Sequence, residues 1–186
     1  MSDSKELLSA TFPIVGVGAS AGGLEAFSEL VKNLPGDFGG SVVLVTHLSP
    51  THPSNLVPIL SRVAKLPVIE IMHGQALQRG QIYIIPANAE VTLGHQAFVL
   101  EPRSETGGPH LPIDILFNSL AHDQESPVVG VVLSGTGVDG SFGLQAIRAA
   151  GGIAFAQDPV TARFSEMPAH AASLGVDYLR FCSLGH

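Results

Sequence analysis

The chain of 186 residues has one cysteine, Cys182, and no tryptophan. A single cysteine excludes an internal disulfide framework and a multi-cysteine metal cluster. Basic residues are also few, since 9 Lys and Arg stand against 16 Asp and Glu and leave a net charge of −7. The chain therefore lacks the positive surface that phosphate backbones require, and we expect no nucleic acid partner.

Long hydrophobic runs are missing as well. The longest nearly uncharged apolar stretches, 41–46 and 128–133, are far shorter than the ~20 residues of a membrane-spanning helix. The first ten residues are polar and do not resemble a secretory signal. We therefore expect a cytoplasmic protein that does not enter the membrane.

The residues that are present favour a compact α/β domain: 45% are hydrophobic, and there are 21 Gly and 13 Pro. Apolar strands at 14–18, 41–46 and 128–133 alternate with helical patterns. That order predicts a mostly parallel, doubly wound sheet with helices on both faces. Short strand-like segments at 80–86, 90–94 and 97–100 predict an antiparallel ribbon attached to this sheet.

A glycine turn follows the first predicted strand. Gly18-Ala19-Ser20-Ala21-Gly22 matches G-x-S-x-G and lies between a strand and a helix, the context in which this pattern exposes a nucleophilic serine. The helix start offers backbone N–H groups and a positive dipole end to an oxyanion. The motif predicts Ser20 as a nucleophile.

The same turn also contains Gly16, Gly18 and Ala21, a variant of the dinucleotide-binding spacing. Such sites usually carry an acidic residue or an arginine at the end of the second strand. This chain has Thr46 and His47 there. That position is unfavourable for a dinucleotide and favourable for a general base, although a dinucleotide-binding oxidoreductase remains an alternative.

Asp139 lies in a glycine-rich turn after the strand at 128–133. Sites in open α/β sheets form beyond the carboxyl ends of the strands, so Ser20, His47 and Asp139 could converge there. These are the components of an acyl-transfer triad: a nucleophile, a proton shuttle and an orienting carboxylate. The chain order Ser, His, Asp differs from the Ser, Asp, His order of ordinary α/β-hydrolases.

Four segments together make the chain resemble the catalytic domain of the chemotaxis protein-glutamate methylesterases, which also deamidate receptor glutamines. They are Val17-Gly18-Ala19-Ser20-Ala21-Gly22-Gly23, His47-Leu48-Ser49-Pro50, Leu133-Ser134-Gly135-Thr136-Gly137-Val138-Asp139-Gly140, and Ala156-Gln157-Asp158 with Met167-Pro168. The resemblance covers about Phe12 to Tyr178. It implies Ser20 as the nucleophile, His47 as the general base and Asp139 as the orienting acid. It further implies backbone oxyanion donors at Ala21 and Thr136.

The segment His110-Leu111-Pro112-Ile113-Asp114 is closest to the versions fused to a receptor methyltransferase. We therefore expect one methylesterase domain over residues 1–186, with its core at about 12–180 and without a receiver domain. The expected substrates are methylated chemoreceptor or sensor-protein helices, and a receiver domain, linked or separate, is a candidate regulator. No cofactor or metal is predicted. A catalytically silent docking domain of a larger sensor is the second alternative.

Other polar residues carry simpler interpretations. His52 is either a substrate-loop residue or a neighbour of a helix start, and His110 is interpreted as a loop residue. Asp114 and Asp123 are interpreted as helix-end or surface charges. The remaining set, which could line the cleft or be structural, consists of Asp158, Arg163 and Met167.

Overall fold

The computed structural model describes residues 11–47, 55–104, 108–123 and 125–180. The predicted residues His52, Cys182 and the Leu48-Ser49-Pro50 part of one motif lie outside these ranges. The strands are β1 (Ile14–Ala19), β2 (Ser41–Thr46), β3 (Val68–Glu70), β4 (Ile82–Ile84), β5 (Ala89–Gly94), β6 (Ala97–Pro102), β7 (Val128–Val132), β8 (Ile153–Gln157) and β9 (Asp177–Leu179). The helices are α1 (Gly23–Asn33), α2 (Leu56–Ser61), α3 (Pro112–Asp123), α4 (Ser141–Ala149) and α5 (Glu166–Ser173).

Seven of the described strands form one sheet in the order β3-β4-β2-β1-β7-β8-β9, and its neighbouring strands are parallel. This confirms the predicted doubly wound fold. The chain moves from β1 to β2 on one side and returns to β7 on the other side of β1. The carboxyl ends of β1 and β7 therefore lie at a topological switch point, where open α/β sheets form their sites.

One part of the predicted ribbon is wrong. Strands β5 and β6 do form a separate antiparallel pair, but the segment at 80–86 contributes β4, which pairs in parallel with β2 and β3. Ile82, Tyr83 and Ile84 are all buried. A continuous apolar run suits a sheet interior covered on both faces, and burial rather than local turn spacing decides its partner. The short strand β9 was also not predicted.

Helices cover both faces of the sheet and create two apolar cores. One core joins α1 and α2 to the sheet, and the other joins α3, α4, α5 and the β5–β6 ribbon to the opposite face. Strand β2 is buried along its whole length, which explains why its sequence lacks alternation. Among the described helices, none has the length and apolar character needed to cross a membrane.

Candidate active site

Ser20 follows the last residue of β1 and begins the turn into α1. Gly22 caps the helix in the left-handed conformation, with φ of 73°, and a Cβ there would lie 2.7 Å from Ser134 Oγ. The Gly23 N–H donates to the Ser20 carbonyl at 2.9 Å. Since only glycine combines this φ with this close contact, the turn holds Ser20 half-buried at the carboxyl end of the central strand.

Two backbone N–H groups donate to the Ser20 hydroxyl oxygen. Ala21 N lies 2.6 Å from Oγ, and Thr136 N approaches it from the loop after β7 at 3.3 Å. These are the two donors expected from the sequence for an oxyanion. The structure directs both of them at the Ser20 hydroxyl oxygen itself, which receives two hydrogen bonds.

Ser134 ties the serine turn to the neighbouring loops. Its carbonyl accepts the Ser20 N–H at 3.0 Å. Its hydroxyl donates to the Ala21 carbonyl at 2.8 Å and accepts the Phe164 N–H at 3.0 Å. Ser134 is almost completely buried, so these bonds are shielded from water and hold the turn firmly.

His47 and Asp139 are joined by a hydrogen bond of 2.8 Å between Nε2 and Oδ2. The Asp139 carboxylate also accepts two N–H groups from the start of α3: Ile113 N at 3.0 Å on Oδ2 and Asp114 N at 2.9 Å on Oδ1. The Asp139 side chain is 2% exposed and that of His47 is 38% exposed. The helix start favours a negative charge on Asp139, while His47 keeps a solvent-facing edge.

The position of His47 follows from the sheet. It comes directly after β2, and the registered pair Ala19 and Thr46 places it next to Ser20 across neighbouring parallel strands. When Nε2–H donates to Asp139, the second ring nitrogen, Nδ1, retains a lone pair that can accept a proton. Within the described residues, no hydrogen bond joins the Ser20 hydroxyl to His47; the hydroxyl faces Ala21 N and Thr136 N instead.

His110 lies near the site. The sequence predicted it only as a loop residue. It does lie on a loop, but its ring centroid is 6.3 Å from that of His47 and its Nδ1 is 3.7 Å from Glu90 Oε1. Burial lowers the pKa of His110, the nearby Arg103 and His47 lower it further, and the Glu90 carboxylate opposes them. His110 therefore favours the neutral form beside the His47 ring.

The sequence predicts Asp114 as a helix-end or surface charge; it does lie at a helix end, but it is not on the surface. It lies in the first turn of α3 but is only 6% exposed, and its Oδ1 accepts the Gly143 N–H of α4 at 2.6 Å. Burial raises the pKa of Asp114 to about 6; the negative charge of Asp139 adds to the rise, and backbone N–H groups of α4 oppose it. The available signal was its spacing of three residues from inward-facing Phe117, which places both on one helix face.

The glycines of the dinucleotide-like spacing serve helix packing. A Cβ on Gly18 would lie 2.4 Å from Ile113 Cγ2, and a Cβ on Gly16 would lie 2.8 Å from Leu120 Cδ1. Helix α3 therefore packs directly against these glycines. In the dinucleotide-binding alternative, a cofactor would approach them instead. Across the described ranges, no group of three His, Cys, Asp or Glu side chains is arranged to hold a metal ion.

The residues that could have lined the cleft have structural contacts. Asp158 pairs with Arg180 at 2.7 Å, whereas Arg163 pairs with Glu25 of α1 at 3.1 Å. Met167 is fully buried in the core. Asp158 and Met167 thus support the fold, and Arg163 joins the exposed loop to α1.

Comparison with known proteins identifies the family. Residues 15–184 match the family model described as CheB methylesterase. A protein-glutamate methylesterase/protein-glutamine glutaminase of Burkholderia lata is 34% identical over 163 residues, which are 87% of this chain and 48% of that protein. A putative one from Leptospira interrogans is 30% identical over 88% of this chain and 86% of its own length.

The solved CheB methylesterase catalytic domain of Thermotoga maritima superposes with a TM-score of 0.84 at 28% identity, covering 92% of this chain and 93% of that one. The chain spans about half the length of the Burkholderia relative. The family model and the superposed structure both cover nearly all of the described residues. The chain belongs to the CheB methylesterase family.

Proposed function

We propose that this chain hydrolyses glutamate γ-methyl esters on chemoreceptor or sensor-protein helices, with release of methanol, and deamidates glutamines on the same proteins. The observation that carries the proposal is the short His47–Asp139 hydrogen bond at the sheet edge where Ser20 Oγ meets two backbone N–H groups. This combination supplies a base, its orienting carboxylate, a nucleophile and an anion pocket.

The first half of the reaction forms an acyl-enzyme on Ser20. Rotation about the Ser20 Cα–Cβ bond turns Oγ toward His47 Nδ1, which takes the hydroxyl proton as Oγ attacks the ester carbonyl carbon. The carbonyl oxygen, now negative, accepts the N–H groups of Ala21 and Thr136 that Oγ has vacated. The protonated His47 is stabilised by Asp139 and returns its proton to the departing methoxide, which leaves as methanol.

The second half releases the product. Water loses a proton to His47 Nδ1 and attacks the acyl carbon, and the same two N–H groups hold the second oxyanion. Collapse breaks the bond to Ser20 Oγ, which regains the proton from His47, and the product carboxylic acid leaves and gives its remaining proton to solvent to become glutamate. Glutamine follows the same route with ammonia as the leaving group, so one site supports both reactions.

The surface around Ser20 suits a protein substrate. Exposed apolar side chains flank the serine and Asp139 turns: Leu24 at 36%, Val138 at 42%, Phe142 at 60% and Phe164 at 39% exposure. Such side chains can pack on the apolar flank of a receptor helix while the ester side chain enters the site. We further propose that residues 1–186 act as one cytoplasmic catalytic domain, whose access to receptors a linked or separate receiver domain controls.

The test is the Ser20→Ala variant, with receptor fragments carrying methylated glutamates as substrate. We expect the rate of methanol release to fall by roughly 10³ to 10⁶-fold, because the acyl-enzyme cannot form. Receptor mass loss provides an independent measure of demethylation, and thermal unfolding shows that the variant is folded. Near wild-type release by folded Ser20→Ala protein would contradict the mechanism.

The docking-domain alternative is separated by a chemical label. A serine-reactive fluorophosphonate should modify Ser20 in the wild-type protein and leave Ser20→Ala unlabelled. The His47→Ala variant should react much more slowly, because the hydroxyl then lacks its base. A wild-type protein that binds methylated receptor but neither reacts with the label nor releases methanol would support the docking role.

A further inference from the structure

Two buried carboxylates join the N-terminal ends of α3 and α4. Asp139 precedes α4 but accepts N–H groups of the first turn of α3, from Ile113 and Asp114. Asp114 belongs to that turn of α3 but accepts the Gly143 N–H from the first turn of α4. A carboxylate near the start of each helix thus accepts backbone N–H groups from the start of the other helix. We call Asp114 and Asp139 together the reciprocal clamp.

The reciprocal clamp has little room to move. Its backbone-to-carboxylate distances are 2.6 Å, 2.9 Å and 3.0 Å, and the two side chains are shielded from solvent. A Cβ on Gly143 would lie 2.4 Å from Phe117 Cβ and 3.2 Å from Asp114 Oδ1, so α4 approaches α3 as closely as its backbone permits. A shift of α4 would therefore carry Asp139 out of place.

Stability alone does not explain a carboxylate at residue 114. Burial and the neighbouring Asp139 charge both disfavour the ionised form of Asp114. A neutral amide could accept the same N–H with a smaller desolvation cost. The Asp114 charge acts on Asp139, which is hydrogen-bonded to His47, so it is in a position to influence the pair that the proposed reaction uses.

We propose that Asp114 is a positioning residue, which holds α4 and the preceding loop so that Asp139 Oδ2 meets His47 Nε2. This inference rests on the proposed function for its catalytic consequence. The groups facing Asp114 are Asp139 from the loop before α4 and the backbone N–H groups of Gly140, Phe142 and Gly143. His47 is bonded to Asp139 at 2.8 Å, and the His110 ring centroid lies 6.3 Å from that of His47.

The test compares Asp114→Ala with Asp114→Asn. Alanine removes the acceptor for Gly143 N–H, so we expect kcat on methylated receptor to fall about 10 to 100-fold with KM within about twofold, as for other residues that orient a reacting group. Asparagine keeps the acceptor and should restore most of kcat. It should also move the acidic limb of the pH profile down by several tenths of a pH unit, since the loss of a nearby negative charge makes protonated His47 less stable.

Ser119→Ala is the matched control. Ser119 lies on the same helix and accepts the Leu93 N–H from the ribbon at 3.0 Å, so its loss weakens α3 packing away from Asp139. We expect a lower melting temperature with unchanged kcat and pH profile. If Asp114→Ala keeps the wild-type kcat, or if asparagine fails to restore it while both variants are folded, the positioning role is refuted.

A readout independent of turnover separates this inference from the proposed function. In protein with ¹⁵N-labelled histidine, NMR should detect the His47 Nε2–H hydrogen-bonded to Asp139 in the wild type and in Asp114→Asn, and lose or shift it in Asp114→Ala. If this pattern holds but wild-type protein hydrolyses no methyl ester, the reciprocal clamp stands and the proposed function fails. If Asp114→Ala leaves the resonance unchanged, the reciprocal clamp itself is wrong.

Discussion

The buried carboxyl of Asp114 should make the stability of this protein depend on pH in a defined direction. Its pKa is about 6 in the folded protein, in place of 3.8 for an unperturbed aspartate. This difference corresponds to about 3 kcal/mol between the two protonation states. Because the folded-state pKa is the higher one, the folded state binds the proton more tightly, and this stabilisation is lost as pH rises from about 4 through 6.

The perturbation that isolates this effect is Asp114→Asn. Asparagine cannot ionise and can still accept the Gly143 N–H, so the variant resembles wild-type protein with a protonated Asp114. We expect similar free energies of unfolding for the two proteins near pH 4. Near pH 8 the variant should be more stable by up to about 3 kcal/mol, with the change developing between about pH 4 and pH 6.

Urea unfolding, followed by circular dichroism at several pH values from 4 to 8, measures the difference directly. Most other titrating groups are common to both proteins and cancel in the difference. A control pair with Asp177→Asn, an exposed aspartate at the far strand β9, should give a nearly flat difference. A flat difference for Asp114→Asn as well, or one of the opposite sign, would refute the assignment of Asp114 as a buried, ionisable group.

Two further substitutions test packing at the site. Gly18→Ala should destabilise the protein by about 1 to 3 kcal/mol, because the added Cβ would lie 2.4 Å from Ile113 Cγ2. The control is Gly39→Ala, whose added Cβ meets no atom within 4 Å. Equal unfolding midpoints for the two variants would contradict the contact. Ser134→Ala should lower both stability and kcat, the former by about 1 to 3 kcal/mol, since the Ala21 carbonyl and the Phe164 N–H lose a buried partner. The control is Ser173→Ala, which removes an exposed hydroxyl. If the two variants have the same unfolding and steady-state kinetics, Ser134 does not hold the turn.

Several features of the fold were predictable because they depend on local patterns. The uninterrupted apolar run of β2 indicated a strand covered on both faces, and the structure buries all six of its residues. The glycine turn at Ser20 was predicted because tight strand-to-helix turns need small residues and a left-handed conformation, which Gly22 adopts.

Pairing between distant segments was harder to predict. Ile82–Ile84 looked like one arm of a hairpin because turns follow it closely in the chain. It instead lies between β2 and β3 in the main sheet, where Tyr83 is fully buried. The apolar character of a strand predicts that it is buried, but which strands it joins depends on the whole sheet.

The sequence by itself determined the sheet class, the turns that end β1 and β7, and the residue types Ser20, His47 and Asp139, because strand burial, glycine turns and side-chain chemistry are local properties. Only the tertiary structure decided which atoms meet. In the tertiary structure, His47 Nε2 is hydrogen-bonded to Asp139, and two backbone N–H groups point at Ser20 Oγ. Asp114 is buried beside the Asp139 carboxylate. Apart from the Ala21 N–H, which is adjacent to Ser20 in the chain, these contacts join segments separated by 25 to 116 residues. They arise where α3 and α4 pack across the switch point, and no local pattern specifies that approach.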